Sequence, residues 1–138
     1  MLETIRLICD SGLLILIWIV QLIIYPGFSF YKHEDLFKWH ETYTKRIAVI
    51  VIPLMFGQLI TSSIQVYNNL DFYTITSSSL VIGVWLSTFF IFVPLHANLS
   101  KRKEVESSIK KLKLHNWLRT VLWSLIFIVT CYFKFKTL

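Results

Sequence analysis

Charge is what this chain has least of. Of 138 residues only 16% are Asp, Glu, Lys or Arg, against roughly a quarter in a soluble domain. With 55% hydrophobic residues and a mean hydropathy of +0.61, that scarcity excludes a disordered chain and argues against an ordinary soluble enzyme. Cysteine occurs only twice, too seldom for a disulfide framework. Four glycines exclude a collagen repeat. Familiar chemical motifs are missing too: there is no Walker loop, no HExxH and no CxxC. Acidic residues number 8 against 14 basic ones, for a net charge of +6. Such a balance often marks nucleic-acid binding, so the placement of the charges has to decide.

What is present is apolar sequence in long runs. A helix needs about 20 mostly apolar residues to cross a bilayer, and four stretches meet that need. They cover about 7–25, 47–66, 76–95 and 114–133. Pro26-Gly27 is expected to end the first, Pro53 to interrupt the second and Pro94 to close the third. The runs are continuous rather than alternating, which favours helices over a β-barrel. Four such runs leave no polar faces to cover a soluble core. The expected fold is all-α: one integral membrane four-helix bundle, up-down-up-down, with no room for a second domain. The first run is too long for a signal-peptide h-region and is expected to remain as a span. Aromatic residues at 16%, five of them Trp, suit anchoring at two membrane interfaces.

The positive charge falls on one side of this arrangement. Arg6, Lys134 and Lys136 lie with the termini. Lys32, Lys38, Lys45, Arg46, Lys101, Arg102, Lys103, Lys110, Lys111, Lys113 and Arg119 lie with loops one and three. The positive-inside rule then puts both termini outside and those loops in the cytoplasm, in a bacterial inner membrane. The run from Lys101 to Lys113 also suits anionic lipid headgroups. Nothing resembles a nucleic-acid fold.

Histidine marks the same side. His33, His40, His96 and His115 all fall near the inferred cytoplasmic face, with Tyr25, Tyr43, Arg46, Asn98, Asn116 and Arg119 around them. His40, Tyr43, Ile47, Val51, Leu54 and Gln58 recur at helical spacing and predict one face of the second helix. Trp85, Phe89, Phe92 and His96 predict a stripe on the third. His115 with Arg119, beside Asn116, Thr120 and Trp123, predicts one on the fourth. Side chains at helix ends also sit comfortably in water or headgroups, so an interfacial role stands beside a functional one. His33 and His40 are seven residues apart, about 10 Å along a helix, too far for one metal ion, and no metal site is expected. A haem between His40 and His96 or His115 is an alternative cofactor. Cys9 and Cys131 lie near the outer ends of the first and fourth spans, as two thiols or as a pair. The two hairpins look alike: a proline closes each first helix, and a histidine then an arginine open each second one, as in a parallel duplication.

The stretch Val93-Pro94-Leu95-His96-Ala97-Asn98-Leu99, followed by His115-Asn116-Trp117-Leu118-Arg119-Thr120-Val121-Leu122, resembles the anthrone-oxygenase-like family of small four-span membrane proteins. Tyr25-Pro26-Gly27-Phe28, His40, Tyr43 and Arg46 extend the likeness over most of the chain. The resemblance implies a four-helix fold and directs attention to Pro94, His96, Asn98, Asn116 and Arg119. It also implies oxygenation of polyketide anthrones to quinones without a dedicated cofactor. The chain departs from the pattern at His96, where the family would have asparagine.

The leading expectation is an oxygenase or redox protein acting on a lipophilic aromatic or quinone-like molecule that enters from lipid. His40 or His96 serves as base, with Tyr43, Asn98 and Arg119 orienting the substrate or stabilising an enolate. The alternatives are a non-enzymatic membrane subunit or oligomeric pore working in a homo-oligomer or larger complex, a haem-binding four-helix protein, and a transporter using Asp10, Gln21 and Gln58.

Overall fold

The computed structural model describes residues 1–136, which form helices and no strand. Four helices are long and apolar enough to cross a membrane: α1 Leu2–Phe30, α2 His33–Asn68, α3 Phe72–Ser100 and α4 Val105–Lys136. Only 22–33% of each apolar window lies inside the bundle, so most of that surface forms an apolar perimeter. α1 packs against α2 and α4, and α3 packs against the same two.

Local chemistry sets the helix starts. Asp71 opens α3 with a capping box: its carboxylate accepts from the Thr74 N–H at 2.8 Å, and the Thr74 hydroxyl accepts from the Asp71 N–H at 3.0 Å. Glu34 and Asp35 occupy the first turn of α2, where the helix dipole favours negative charge. The α3–α4 connection turns sharply through Arg102 and Glu104, whose φ angles are 57° and 46°. Arg102 is tied back to Glu34 at 3.1 Å and lies over the Phe37 ring at 4.6 Å.

The helices outrun the apolar segments read from sequence, and no proline stops them. α1 passes through Pro26-Gly27 and ends as a 3-10 turn at Phe28–Phe30. α2 is unbroken at Pro53. α3 passes through Pro94 to Ser100. Proline has no N–H to return to the carbonyl four residues back. In α1 and α3 the ladder adjusts by widening into a π turn ahead of the proline, at Val20–Ile24 and Thr88–Phe92. Tyr25 N–H donates to the Val20 carbonyl and Val93 N–H to that of Thr88, five residues back in each case. Each π turn starts six residues before its proline, so the hairpin likeness in the sequence has a matching backbone feature. Much of the basic "loop" sequence is helical as well: 33–46 belongs to α2 and 105–113 to α4.

A buried polar cluster ties all four helices at the end holding Arg6. Arg6 Nε donates to both Asp10 oxygens, at 3.0 and 2.9 Å, and neither side chain is exposed. Asp10 also accepts from Gln58 Nε2 at 2.6 Å and from the Thr130 hydroxyl at 2.7 Å. Arg6 reaches Ser77 Oγ at 2.6 Å and Gln65 Oε1 at 3.4 Å. Neighbouring Ser62 and Ser78 hydroxyls join α2 to α3 at 2.7 Å. Cys9 is buried with its sulfur directed toward Gly57 of α2, and Cys9 and Cys131 are both free thiols.

Candidate active site

The other end of the bundle gathers a second polar cluster, set by the far ends of α1 and α3 and the near ends of α2 and α4. Seven residues into α2, His40 is buried. Its Nε2 is 2.8 Å from His96 Nδ1, with the two rings stacked at 5.1 Å. His96 Nε2 meets the Tyr25 hydroxyl at 3.0 Å. A chain of exchangeable protons thus runs from His40 through His96 to Tyr25. Phe28 supports it from below, edge-on to both His40 and Tyr43 at 6.2 and 5.9 Å.

Arg119 completes the cluster. It is buried, and its guanidinium carbon sits 4.3 Å over the Phe92 ring and 5.0 Å over that of Trp123. The Tyr25 and Tyr43 hydroxyls are its polar neighbours. No carboxylate pairs with it among the described residues, and its buried Nε has no hydrogen-bond partner there. A buried cation without a counter-ion is costly, so this place favours a ligand that brings an acceptor or a negative charge.

One turn away, Asn116 Nδ2 donates to Gln21 Oε1 at 2.9 Å, and the Thr120 hydroxyl reaches the same oxygen at 3.4 Å. Gln21 lies within the π turn of α1, and Phe92 within that of α3. Both irregular turns therefore face α4 beside Arg119. The widened turns carry the helices past proline and set the residues that hold this cluster, a common use of π turns.

The structure brings His40, Tyr43, His96 and Arg119 together. Asn98 is placed differently: it is half-buried, its backbone carbonyl accepts from Lys103 N–H at 2.9 Å, and its carboxamide makes no hydrogen bond to the histidine pair. His33 and His115 are exposed, and His33 pairs with Glu106 at 3.0 Å. Arg46 is exposed. Phe89 leaves the predicted α3 stripe and is exposed, because the π turn shifts the helical register between Trp85 and His96. Tyr25, already expected near the histidines, enters as the partner of His96. Gln21, expected only on a mid-membrane path, enters as the acceptor for Asn116.

These donors do not form a haem site. An ion between two imidazole nitrogens, at about 2.0–2.1 Å from each, separates them by about 4 Å. His40 and His96 are bonded directly at 2.8 Å, and His115 is exposed. No group of three or more His, Cys, Asp or Glu side chains suited to a metal occurs among the described residues.

A cleft adjoins the His40 end of this proton chain. A cavity of about 390 Å³ is lined by His40 together with Glu34, Phe37, Glu41 and Arg102. No protein-family model, curated protein or solved structure matches the chain.

Proposed function

We propose that the chain is an integral membrane protein of a bacterial inner membrane, up-down-up-down, with both termini outside and its His40 end cytoplasmic. Charge supports the sidedness more cleanly than simple counting does. Arg6 and Arg119 are buried in the bundle, leaving Lys134 and Lys136 at one end against ten basic residues at the other. The apolar perimeter is then covered by lipid.

The His40 end serves as a proton-transfer site for a lipophilic aromatic or quinone-like molecule. The observation that carries this reading is the buried Arg119, lacking a counter-ion, set against the Tyr25–His96–His40 chain. An acidic C–H or phenolic O–H gives its proton to the chain. The resulting enolate or phenolate is held by Arg119 in a site where electrostatic stabilisation is strong. The proton leaves through His40 to the adjoining cleft. In the oxygenase form of the reaction the substrate is an anthrone and dioxygen is the oxidant. The anthrone methylene becomes a carbonyl, one oxygen atom enters the quinone and the other leaves as water. This follows the family resemblance in the sequence and needs no resident cofactor.

The test uses the full chain in lipid nanodiscs with a hydroxylated anthrone and dioxygen. Quinone formation is followed by absorbance and oxygen uptake by electrode. His96→Ala, His40→Ala and Arg119→Gln are expected to abolish turnover above the uncatalysed rate. Turnover that survives both histidine substitutions refutes the site. Binding without turnover in the unaltered chain refutes the enzyme and favours a non-catalytic subunit.

A further inference from the structure

The two polar clusters come close to meeting in the middle of the bundle, and one side chain stands between them. Trp123 is fully buried. Its Nε1 donates to Gln58 Oε1 at 3.2 Å, and Gln58 belongs to the Asp10 cluster through its 2.6 Å bond. Arg119, which belongs to the histidine cluster, rests 5.0 Å from the Trp123 ring. Each cluster also opens at its own end. Thr130, which bonds Asp10, and Gln65, which bonds Arg6, line a cavity of about 610 Å³ at the Arg6 end. His40 lines the cleft at the opposite end.

We propose that Trp123 is the proton barrier of the bundle, dividing it into two polar chambers that exchange protons with opposite ends. The chemistry of the link supports this. An indole N–H donates a hydrogen bond but offers no lone pair to accept a proton, and a guanidinium keeps its own. A proton moving from His40 through His96 and Tyr25 therefore stops at Arg119. From the other side, a proton reaching Asp10 stops at Gln58. Helices α1, α3 and α4 contribute buried apolar residues at this level. Leu13 and Ile17 lie between Asp10 and Gln21 on α1. Val84 lies between Ser77 and Phe92 on α3, and Ile126 lies between Thr130 and Trp123 on α4. These side chains offer water no hydrogen-bond partner. The barrier is nonetheless thin, because the polar groups on its two sides touch the same indole.

Replacing Trp123 with glycine opens a space whose walls include Gln58 Oε1 and the Arg119 guanidinium. An apolar void stays dry, but one with several polar partners holds water, and that water would join the chambers.

The experiment reconstitutes the full chain into liposomes of defined lipid containing a pH-sensitive dye. A potassium diffusion potential drives protons inward. The unaltered chain is expected to be as tight as empty liposomes. Trp123→Gly is expected to acidify the lumen at least about tenfold faster, since hydration of the middle removes the desolvation barrier. Free indole is expected to refill the space and restore tightness. Trp123→Phe keeps the bulk, loses the N–H and is expected to stay tight. Proton flux through the unaltered chain overturns the proposal. So does a tight Trp123→Gly protein of native helix content, and so does a leak that indole fails to close. If Trp123→Gly does not assemble, Trp123→Ser carries the test by placing a small hydroxyl side chain at the same position. A tight Trp123→Ser protein then overturns the proposal.

Discussion

Cutting the Arg6–Asp10 pair on one side should damage the bundle far more than removing the pair altogether. Neither side chain is exposed, and Arg6 Nε bonds both Asp10 oxygens at 3.0 and 2.9 Å. Asp10→Ala leaves Arg6 as a buried cation whose remaining contacts are Ser77 and Gln65. It also strands the Gln58 and Thr130 donors. Breaking a buried ion pair from one side costs about 3–5 kcal/mol. The double variant Arg6→Met with Asp10→Leu removes both charges and substitutes apolar volume. What it then loses are hydrogen bonds to neutral side chains, worth about 0.6 kcal/mol each on average in a membrane bundle. With Ser77, Gln65, Gln58 and Thr130 affected, the double variant should cost about 2 kcal/mol, less than Asp10→Ala alone. The assay is reversible unfolding in mixed micelles by titrated denaturing detergent, followed by tryptophan fluorescence and far-UV circular dichroism. The reasoning is refuted if Asp10→Ala costs under about 1 kcal/mol. It is equally refuted if the double variant loses the sum of the two single costs, which would mean that the charges do not depend on each other.

Glycine substitutions should separate a close helix contact from a loose one. A Cβ on Gly57 would lie 2.7 Å from Cys9 Sγ, so Gly57→Ala should destabilise by about 1–3 kcal/mol. Cys9→Ala should rescue it in the same unfolding assay. A Cβ on Gly83 meets nothing nearer than Leu122 at 3.8 Å, and Gly83→Ala should be neutral or better. Gln21→Leu should cost about 1–3 kcal/mol, because Asn116 is fully buried and loses its acceptor. Gln21→Glu, which keeps an acceptor there, should cost less when both are compared by the same titration.

Four apolar runs were enough to predict four long helices, because every backbone polar group in an apolar medium must pair within its own segment. The α2 stripe was legible for the same reason. An unbroken helix keeps the 3.6-residue period, and His40, Tyr43 and Gln58 are indeed buried along it. Proline was misread three times. Its usual effect as a helix terminator assumes that water takes up the freed carbonyl, whereas here π turns absorb the defect in α1 and α3. That error also hid the true register of α3, which is why Phe89 was placed on the wrong face. Arg6 was counted as a surface topology signal. Its spacing of four from Asp10 was visible, but burial by three other helices is a tertiary fact that no local pattern carries. The Tyr25–His96 bond, likewise, joins residues 71 apart.

The π turns at Val20–Ile24 and Thr88–Phe92 amount to a phase correction. Each residue of an α-helix advances the side chains by about 100°. One surplus residue in α3 lets Val81 and Val84 point into the core along the first half while Phe92 and Leu99 point into it along the second. In α1 the same device aligns Leu13 and Ile17 with Tyr25 and Phe28. A deletion of Leu22 or Phe90, each exposed within its turn, would remove no side chain of the site. It would still swing Tyr25 or His96 roughly a quarter to a third of a revolution away from its partner. The proton chain is held in register by two residues that never touch it.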